Sequence, residues 1–259
     1  MNRWKNRALL CTAALLCAAA PVFANHIPVA PDGVVELETH ARLFVDLDKL
    51  DPFMEVAGRW EDKDFQFRYR AVTLGAYYRV LDNLKVGAFY RLQAGARHDD
   101  DWIEPQAGVW EWVDSRDRYE NVLILDASPR FLLKRLPGEN WVVMVKNRYQ
   151  FNTYNMQQSL MVRPQFTYFW MRERKPVLNI TASYEAVFSL NYGDSLFYYR
   201  SPYVEVLYHL NDQWKLDTRI ARKTVTWSSS DDSVANGDSY EVDYTAWQVS
   251  LGFVYMHRP

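Results

Sequence analysis

The stretch LKVGAFYRLQAGAR, residues 84–97, decides the fold of this chain. Its even-numbered residues are all apolar, and its odd-numbered residues are Lys85, Gly87, Phe89, Arg91, Gln93, Gly95 and Arg97. Because successive side chains of a β-strand point to opposite faces, this alternation predicts a strand with two unlike faces. One face suits lipid, and the other suits water or ion pairs.

Ten stretches of the chain alternate in this way. A tilted strand crosses a bilayer with about 9–11 residues, whereas strands of soluble sheets usually have about 5–6 residues. The lengths therefore favour a transmembrane β-barrel over a soluble β-sandwich, which is the alternative. The predicted strands cover residues 34–47, 64–79, 84–97, 120–134, 141–152, 157–171, 177–190, 195–209, 213–227 and 240–256.

The joins between these strands are alternately short and long. Residues 80–83, 135–140, 172–176 and 210–212 are short and rich in turn formers, whereas 48–63, 98–119 and 228–239 are longer. Outer-membrane barrels have short periplasmic turns and longer extracellular loops. We therefore predict an all-β, antiparallel transmembrane barrel of about ten strands, within a range of eight to twelve. An even number would place both termini in the periplasm.

The first 24 residues have the pattern of a secretory signal peptide. Arg3, Lys5 and Arg7 precede an apolar stretch, and Val22-Phe23-Ala24 fits a cleavage site before Asn25. Residues 25–259 are then a single barrel domain without cysteine. We expect this domain to reside in the outer membrane of a Gram-negative bacterium, in contact with membrane lipids and lipopolysaccharide.

The charge of residues 25–259 gives no indication of a nucleic-acid partner. They contain 27 basic and 32 acidic residues, a net charge of −5. No apolar run among them approaches the ~18 residues that a spanning helix needs. If these residues cross a membrane, they cross it with strands.

Aromatic residues collect near the predicted periplasmic strand ends. Trp and Tyr favour the membrane–water interface, where the ring is in an apolar region and the polar tip is in water. The predicted interface aromatics, all with outward parity, are Tyr78, Trp141, Trp170, Tyr208, Trp214 and Tyr255.

The chain resembles bacterial outer-membrane β-barrels of the small-porin kind. Ser183-Tyr184-Glu185-Ala186-Val187-Phe188, Arg200 and the stretch 208–216 are similar to a proteobacterial barrel family of unknown function. The resemblance implies insertion by the barrel assembly machinery, which recognises a terminal aromatic residue. Phe253 and Tyr255 have the parity for that signal, although residues 256–259 follow them.

The inward parity carries about twice as many basic as acidic residues. Because buried charges need partners or water, the surplus predicts a narrow channel for small anionic solutes or a site for an anionic ligand. A passive envelope component is the alternative function. An ion-pair and water network that fills the barrel is the structural alternative. The predicted lumen bases are Arg68, Arg91, Arg130, Arg148, Arg163 and Arg219, and the acidic partners are Glu36, Glu38, Asp126, Glu185, Glu205 and Asp217.

The alternation is broken at three places. Between residues 64 and 79 the polar face changes parity, which predicts a β-bulge near Ala71. Arg200 and Arg222 fall on the lipid-facing side, so either they snorkel to the interface or the assumed register is wrong there.

The predicted outer loops are acidic. Eight acidic residues lie within residues 98–120, Glu120 included, and Asn236-Gly237-Asp238 lies in the last loop. Such clusters could hold Ca²⁺ or Mg²⁺ shared with lipopolysaccharide phosphates, but a solvated acidic loop is the simpler interpretation. We predict no metal site and no cofactor.

The sequence contains no convincing catalytic constellation. It lacks a Gly-x-Ser-x-Gly elbow. Of its histidines only His98 and His40 remain as candidates, and His98 could serve a hydroxyl such as Ser159 or Ser189. We therefore predict no catalytic residues and no enzyme activity. Two further functions remain open: a lipid-modifying hydrolase, and a non-conducting accessory barrel for polysaccharide export or surface interaction.

Overall fold

Thirteen β-strands make up the secondary structure of the computed structural model. It describes residues 34–61, 66–95, 102–106, 109–112, 119–134, 136, 140–154, 156–191, 197–228 and 241–259. The strands are β1 (Val34–Val45), β2 (Leu50–Glu61), β3 (Gln66–Leu81), β4 (Leu84–Ala94), β5 (Trp102–Gln106), β6 (Val109–Trp112), β7 (Tyr119–Leu132), β8 (Trp141–Asn152), β9 (Gln158–Arg172), β10 (Lys175–Ser189), β11 (Phe197–His209), β12 (Trp214–Ser228) and β13 (Glu241–His257).

Eleven of these strands form a closed barrel, and β5 and β6 form a separate hairpin. Strands that are neighbours in the barrel and along the chain pair antiparallel. The barrel closes between β1 and β13, which pair parallel from Val34↔Ala246 to Val45↔His257. The all-β barrel of about ten strands is confirmed, but the fully antiparallel arrangement is wrong, because an odd number of strands requires one parallel pair.

The eleventh strand, β2, lies within the predicted loop 48–63. Its outward residues Leu50, Met54 and Val56 are exposed, so the alternation is present. Two features hide it in the sequence. Pro52 is a residue that strands rarely tolerate, and the large apolar Phe53 lies on the inner face beside Glu55, where it lines the lumen.

The two ends of the barrel differ in their connections. Five short connections, at 46–49, 82–83, 133–140, 173–174 and 210–213, lie at one end, which we call the turn end. The predicted short turns are all there. The opposite end, the loop end, has the two longest connections, 95–118, which includes the β5–β6 hairpin, and 229–240, as well as three shorter ones, 62–65, 153–157 and 190–196. Because β1 and β13 are parallel, β1 begins at the loop end and β13 ends at the turn end. The prediction of an even number of strands, with the first strand beginning and the last strand ending on the same side, is therefore wrong.

The wall of the barrel is apolar outside and polar inside. Polar and charged side chains line the interior, among them Glu38, Arg91 and Arg148. On the outer face, ten of the eleven wall strands each carry exposed large apolar residues, for example Leu37, Met54, Leu74, Leu92, Leu125, Phe166, Ile180, Val204, Ile220 and Leu251. Soluble proteins rarely expose apolar surface that is continuous over such an area.

The predicted bulge exists, but it is three residues from the expected position. Arg59 pairs with Tyr69 and Trp60 with Phe67, so Arg68 is the extra residue of β3. From Ala71 to Thr73 the pairing of β3 with β2 continues without a break in register. Arg68 lies beside Gly95, whose positive φ of 64° marks the end of β4.

Arg200 and Arg222 lie on the outer face, as the parity indicated. Arg200 is exposed near the loop end of β11 and pairs with Asp243 at 3.2 Å. The guanidinium of Arg222 lies 5.1 Å from the centre of the Trp247 ring, an arrangement in which the ring stabilises the cation. The register assumed for β11 and β12 is therefore correct.

In the part of the chain that the structure describes, no helix is long and apolar enough to cross a membrane. The predicted signal peptide, His98, Asp99–Asp101 and Asn236–Asp238 lie outside the described residues.

Candidate functional site in the barrel lumen

The lumen contains two adjacent cavities. The loop-side cavity, of about 470 Å³, is lined by residues such as Glu38, Arg91 and Arg163. The turn-side cavity, of about 570 Å³, is lined by residues such as Arg79, Lys215 and Met256. The two meet at a layer of six residues that line both: Arg42, Phe44, Tyr77, Met144, Lys146 and Glu205.

An aromatic cluster of Phe44, Phe53, Tyr77 and Phe89 lies on the inner face of β1–β4. The ring centres of Phe44 and Phe53 are 4.9 Å apart, and those of Tyr77 and Phe89 are 4.7 Å apart. Phe89 fits because Gly75 and Gly87 lie against its ring, where a Cβ on either glycine would overlap it. The cluster narrows the lumen at the level where the two cavities meet.

Ion pairs cross the inner face of β13 and join β1 to β12. Glu36 pairs with Lys223, and Glu38 accepts a hydrogen bond of 3.0 Å from Arg219. Gln248, which lies between them on β13, donates to Glu36 at 3.1 Å. These contacts bridge the two strands that flank β13 and so support the parallel closure.

A third bridge joins Asp217 of β12 to two residues of β1. Its carboxylate lies 3.0 Å from His40 Nε2 and accepts a hydrogen bond of 2.7 Å from Arg42. Arg42 also donates to Glu55 at 2.6 Å. His40 pairs directly with Gly252 of β13, which has no side chain and leaves room for the imidazole.

Asp126 on β7 binds two cations. Its two carboxylate oxygens accept hydrogen bonds of 2.7 and 3.0 Å from Arg148, and Lys146 lies at 3.1 Å. Lys146 also donates to the Tyr77 hydroxyl at 2.9 Å. The Asp126 side chain has no exposed surface, so its charge depends on these partners.

Most bases of the loop-side cavity are paired with carboxylates. Arg163 pairs with Glu185, and Arg59 lies 3.6 Å from Glu36. Arg91 is the exception: its Nε donates to Thr73 at 3.0 Å, and no described carboxylate oxygen lies within 4.0 Å of it. Glu205 likewise has no basic partner within 4.0 Å among the described residues.

The predicted surplus of lumen bases is therefore much smaller around this cavity. Eight bases line it, and eight carboxylates lie in or directly behind its wall. Sequence reasoning missed Glu55 and Arg59 because β2 was assigned to a loop. The bases are Arg42, Arg59, Arg91, Lys146, Arg148, Arg163, Arg219 and Lys223, and the carboxylates are Glu36, Glu38, Glu55, Glu120, Asp126, Glu185, Glu205 and Asp217.

Four of the six predicted lumen arginines, Arg91, Arg148, Arg163 and Arg219, line the loop-side cavity. Arg130 lines the turn-side cavity, is exposed, and donates to the Asp82 carbonyl at 3.3 Å. Arg68 is buried at the bulge, outside the lining of either cavity. The predicted carboxylates all lie on the inner side of the wall.

The six predicted interface aromatics lie near the turn end. Trp141 and Trp214 are the first residues of β8 and β12, and the other four are in the last turn-end segment of their strands. The Trp214 and Tyr255 ring centres are 4.8 Å apart. Trp141 lies 4.8 Å from Phe166 of the exposed outer face. The residues thus form a band around one end of the outer wall.

The lumen offers little for catalysis or metal binding in the described segments. Ser159 lines the loop-side cavity, but its suggested partner His98 is outside the described residues. No group of three or more His, Cys, Asp or Glu residues with the arrangement of a metal site occurs among the residues described.

No protein-family description matches the chain, and no curated protein is similar to it.

Proposed function

We propose that this chain is an outer-membrane β-barrel. The apolar outer wall carries the proposal, because water-exposed apolar surface of that extent is unfavourable and a bilayer removes it from water. The band of aromatic residues at the turn end supports the proposal of a membrane environment, since Trp and Tyr anchor barrels at the membrane–water interface. The turn end would then face the periplasm.

The parallel pairing of β1 with β13 makes this topology testable. An epitope inserted directly before β1 and one joined after β13 are expected on opposite sides of the membrane. In intact cells only the first should bind antibody. Because residues 25–259 contain no cysteine, single cysteines introduced at exposed Tyr154 on the loop end and Asp212 on the turn end give matched controls for labelling by an impermeant maleimide. Two epitopes on the same side would contradict the assigned closure.

We further propose that the lumen admits small anions. Eight bases surround the loop-side cavity, and the Arg91 guanidinium is the one among them that has no carboxylate oxygen within 4.0 Å in the described part of the chain. Basic linings favour anions in other pores. The aromatic cluster narrows the passage, so the expected conductance is small.

Conductance in a planar bilayer under a salt gradient tests this function. Wild-type protein is expected to conduct with anion preference. Arg91→Gln should lower the anion-to-cation permeability ratio about two- to sixfold, the effect of one unit charge acting at ~8 Å across a wet lumen. Arg200→Gln removes the same charge from the outer wall and should leave the ratio unchanged. Cation preference in the wild type, or equal effects of the two variants, would contradict the proposal.

A non-conducting accessory barrel is the second candidate. The observation that favours it is the aromatic cluster, which lies where the two cavities meet and is flanked there by Arg42 and Lys146. If the correctly folded barrel inserts into the bilayer and carries no current, that result would favour this second function.

A further inference from the structure

The turn-side cavity contains three bases that have no carboxylate partner. Arg79 Nε is buried without a hydrogen-bond partner. Arg130 donates to a backbone carbonyl, and Lys215 Nζ contacts the Met256 sulfur at 2.8 Å. No carboxylate oxygen lies within 4.0 Å of any of the three, as far as the described residues show.

The other bases of this cavity are neutralised. Lys85 pairs with Asp51, and Arg258 lies 3.6 Å from Asp46. Arg42 and Lys146 belong to the pairs at the layer where the two cavities meet. Glu205, the carboxylate without a basic partner, lies in that same layer, away from the turn end. The positive charge that remains is therefore carried by Arg79, Arg130 and Lys215.

The wall between these bases is apolar. Phe44, Met144, Leu207, Val254 and Met256 line the same cavity. Its volume of about 570 Å³ is within the range of ~300–1,000 Å³ typical of small-molecule sites, which combine apolar walls with a few polar groups that fix the orientation of a ligand. A simple inorganic anion would pair with the bases but would make no favourable contact with the apolar wall.

We infer that the turn-side cavity binds a soluble amphiphilic anion, a medium-chain carboxylate, with its head at the unpaired bases and its chain against the apolar wall. Binding would not require conduction, so this ligand could bind whether or not the barrel acts as a channel. The guanidinium of half-buried Arg79, whose Nε has no hydrogen-bond partner, gains a charge-assisted hydrogen bond from such a ligand. The apolar chain gains by leaving water.

Calorimetric titration of the detergent-solubilised barrel with octanoate tests the inference, with empty micelles titrated as a blank. Saturable binding at one site is expected. Octan-1-ol has the chain without the charge, and sulfate has charge without the chain, so each should bind at least about tenfold more weakly. Saturable binding of either one within threefold of octanoate would overturn the assignment, as would the absence of saturable octanoate binding.

Variants locate the site. The double variant Arg79→Gln/Lys215→Gln should weaken octanoate binding about tenfold or more. Lys175→Gln removes an exposed turn-end base outside the cavity and should leave the octanoate affinity unchanged. Leu207→Trp fills the space beside the apolar wall without altering a base, and it should cause a similar loss of octanoate affinity. It provides a second test of the site if the double variant does not fold. Retained affinity in a folded form of either site variant would overturn the inference.

Discussion

Asp126→Asn is expected to destabilise the barrel by about 3–5 kcal/mol, the usual cost of removing one partner of a buried ion pair. The substitution keeps the shape of the side chain but removes its charge. Arg148 and Lys146, which lie 2.7 and 3.1 Å from the carboxylate, then lose their counter-ion, and their side chains are only 14% and 13% exposed. The measurement is urea-induced unfolding in lipid vesicles, followed by tryptophan fluorescence.

Asp212→Asn is the matched control for this prediction. Asp212 pairs with Lys175 at 3.2 Å, but the two side chains are 76% and 72% exposed. Exposed pairs contribute about 0–1 kcal/mol, so a small effect is expected. The double variant Asp126→Asn/Lys146→Met should recover part of the loss by removing one unpaired cation. Equal effects of Asp126→Asn and Asp212→Asn would show that the buried network does not stabilise the fold.

Gly252→Ala is expected to weaken the closure between β1 and β13. A Cβ at this position would lie 2.5 Å from the His40 carbonyl oxygen and would overlap the His40 ring. A side chain can change its rotamer, but a backbone carbonyl cannot, so β1 would have to move away from β13. Overpacking of this kind costs about 1–3 kcal/mol, and the yield of folded barrel should fall with it.

Gly58→Ala provides the comparison, because it makes the same change in a strand where the neighbour can move. The nearest atom to a Cβ at Gly58 is a ring carbon of Phe67 at 3.0 Å. Replacing glycine by alanine in a strand otherwise favours folding by roughly 0.5–1 kcal/mol. The urea midpoint of Gly58→Ala should therefore equal or exceed that of the wild type. A midpoint of Gly252→Ala that is just as high would mean that the two strands do not approach as closely as described.

The strands that the sequence predicted correctly share one property. In β4, for example, Lys85, Arg91 and Gln93 face the lumen and Tyr90 and Leu92 face outward, as the parity required. This pattern is local, because two successive residues of any strand point to opposite sides. Strand β2 was missed because Pro52 and Phe53 interrupt the pattern locally, although pairing with β1 and β3 holds the segment in the sheet.

The partners of the lumen charges could not be predicted in the same way. Lys223 and Glu36 are separated by 187 residues, and they meet only because β1 and β12 flank β13. A surplus of bases counted from parity therefore overestimated the unpaired charge near the loop end. The bases without carboxylate partners in the turn-side cavity, Arg79, Arg130 and Lys215, are also recognisable only once the pairs are known.

The sequence by itself determined that this chain forms a barrel of long strands, which faces of those strands are apolar, and at which end the short turns and aromatic residues lie. These properties depend on a two-residue period and on local turn chemistry. The tertiary structure decided the odd number of strands, the parallel closure and the pairing of the lumen charges. Those properties depend on contacts between residues far apart in the chain, whose register is fixed only when the sheet closes on itself.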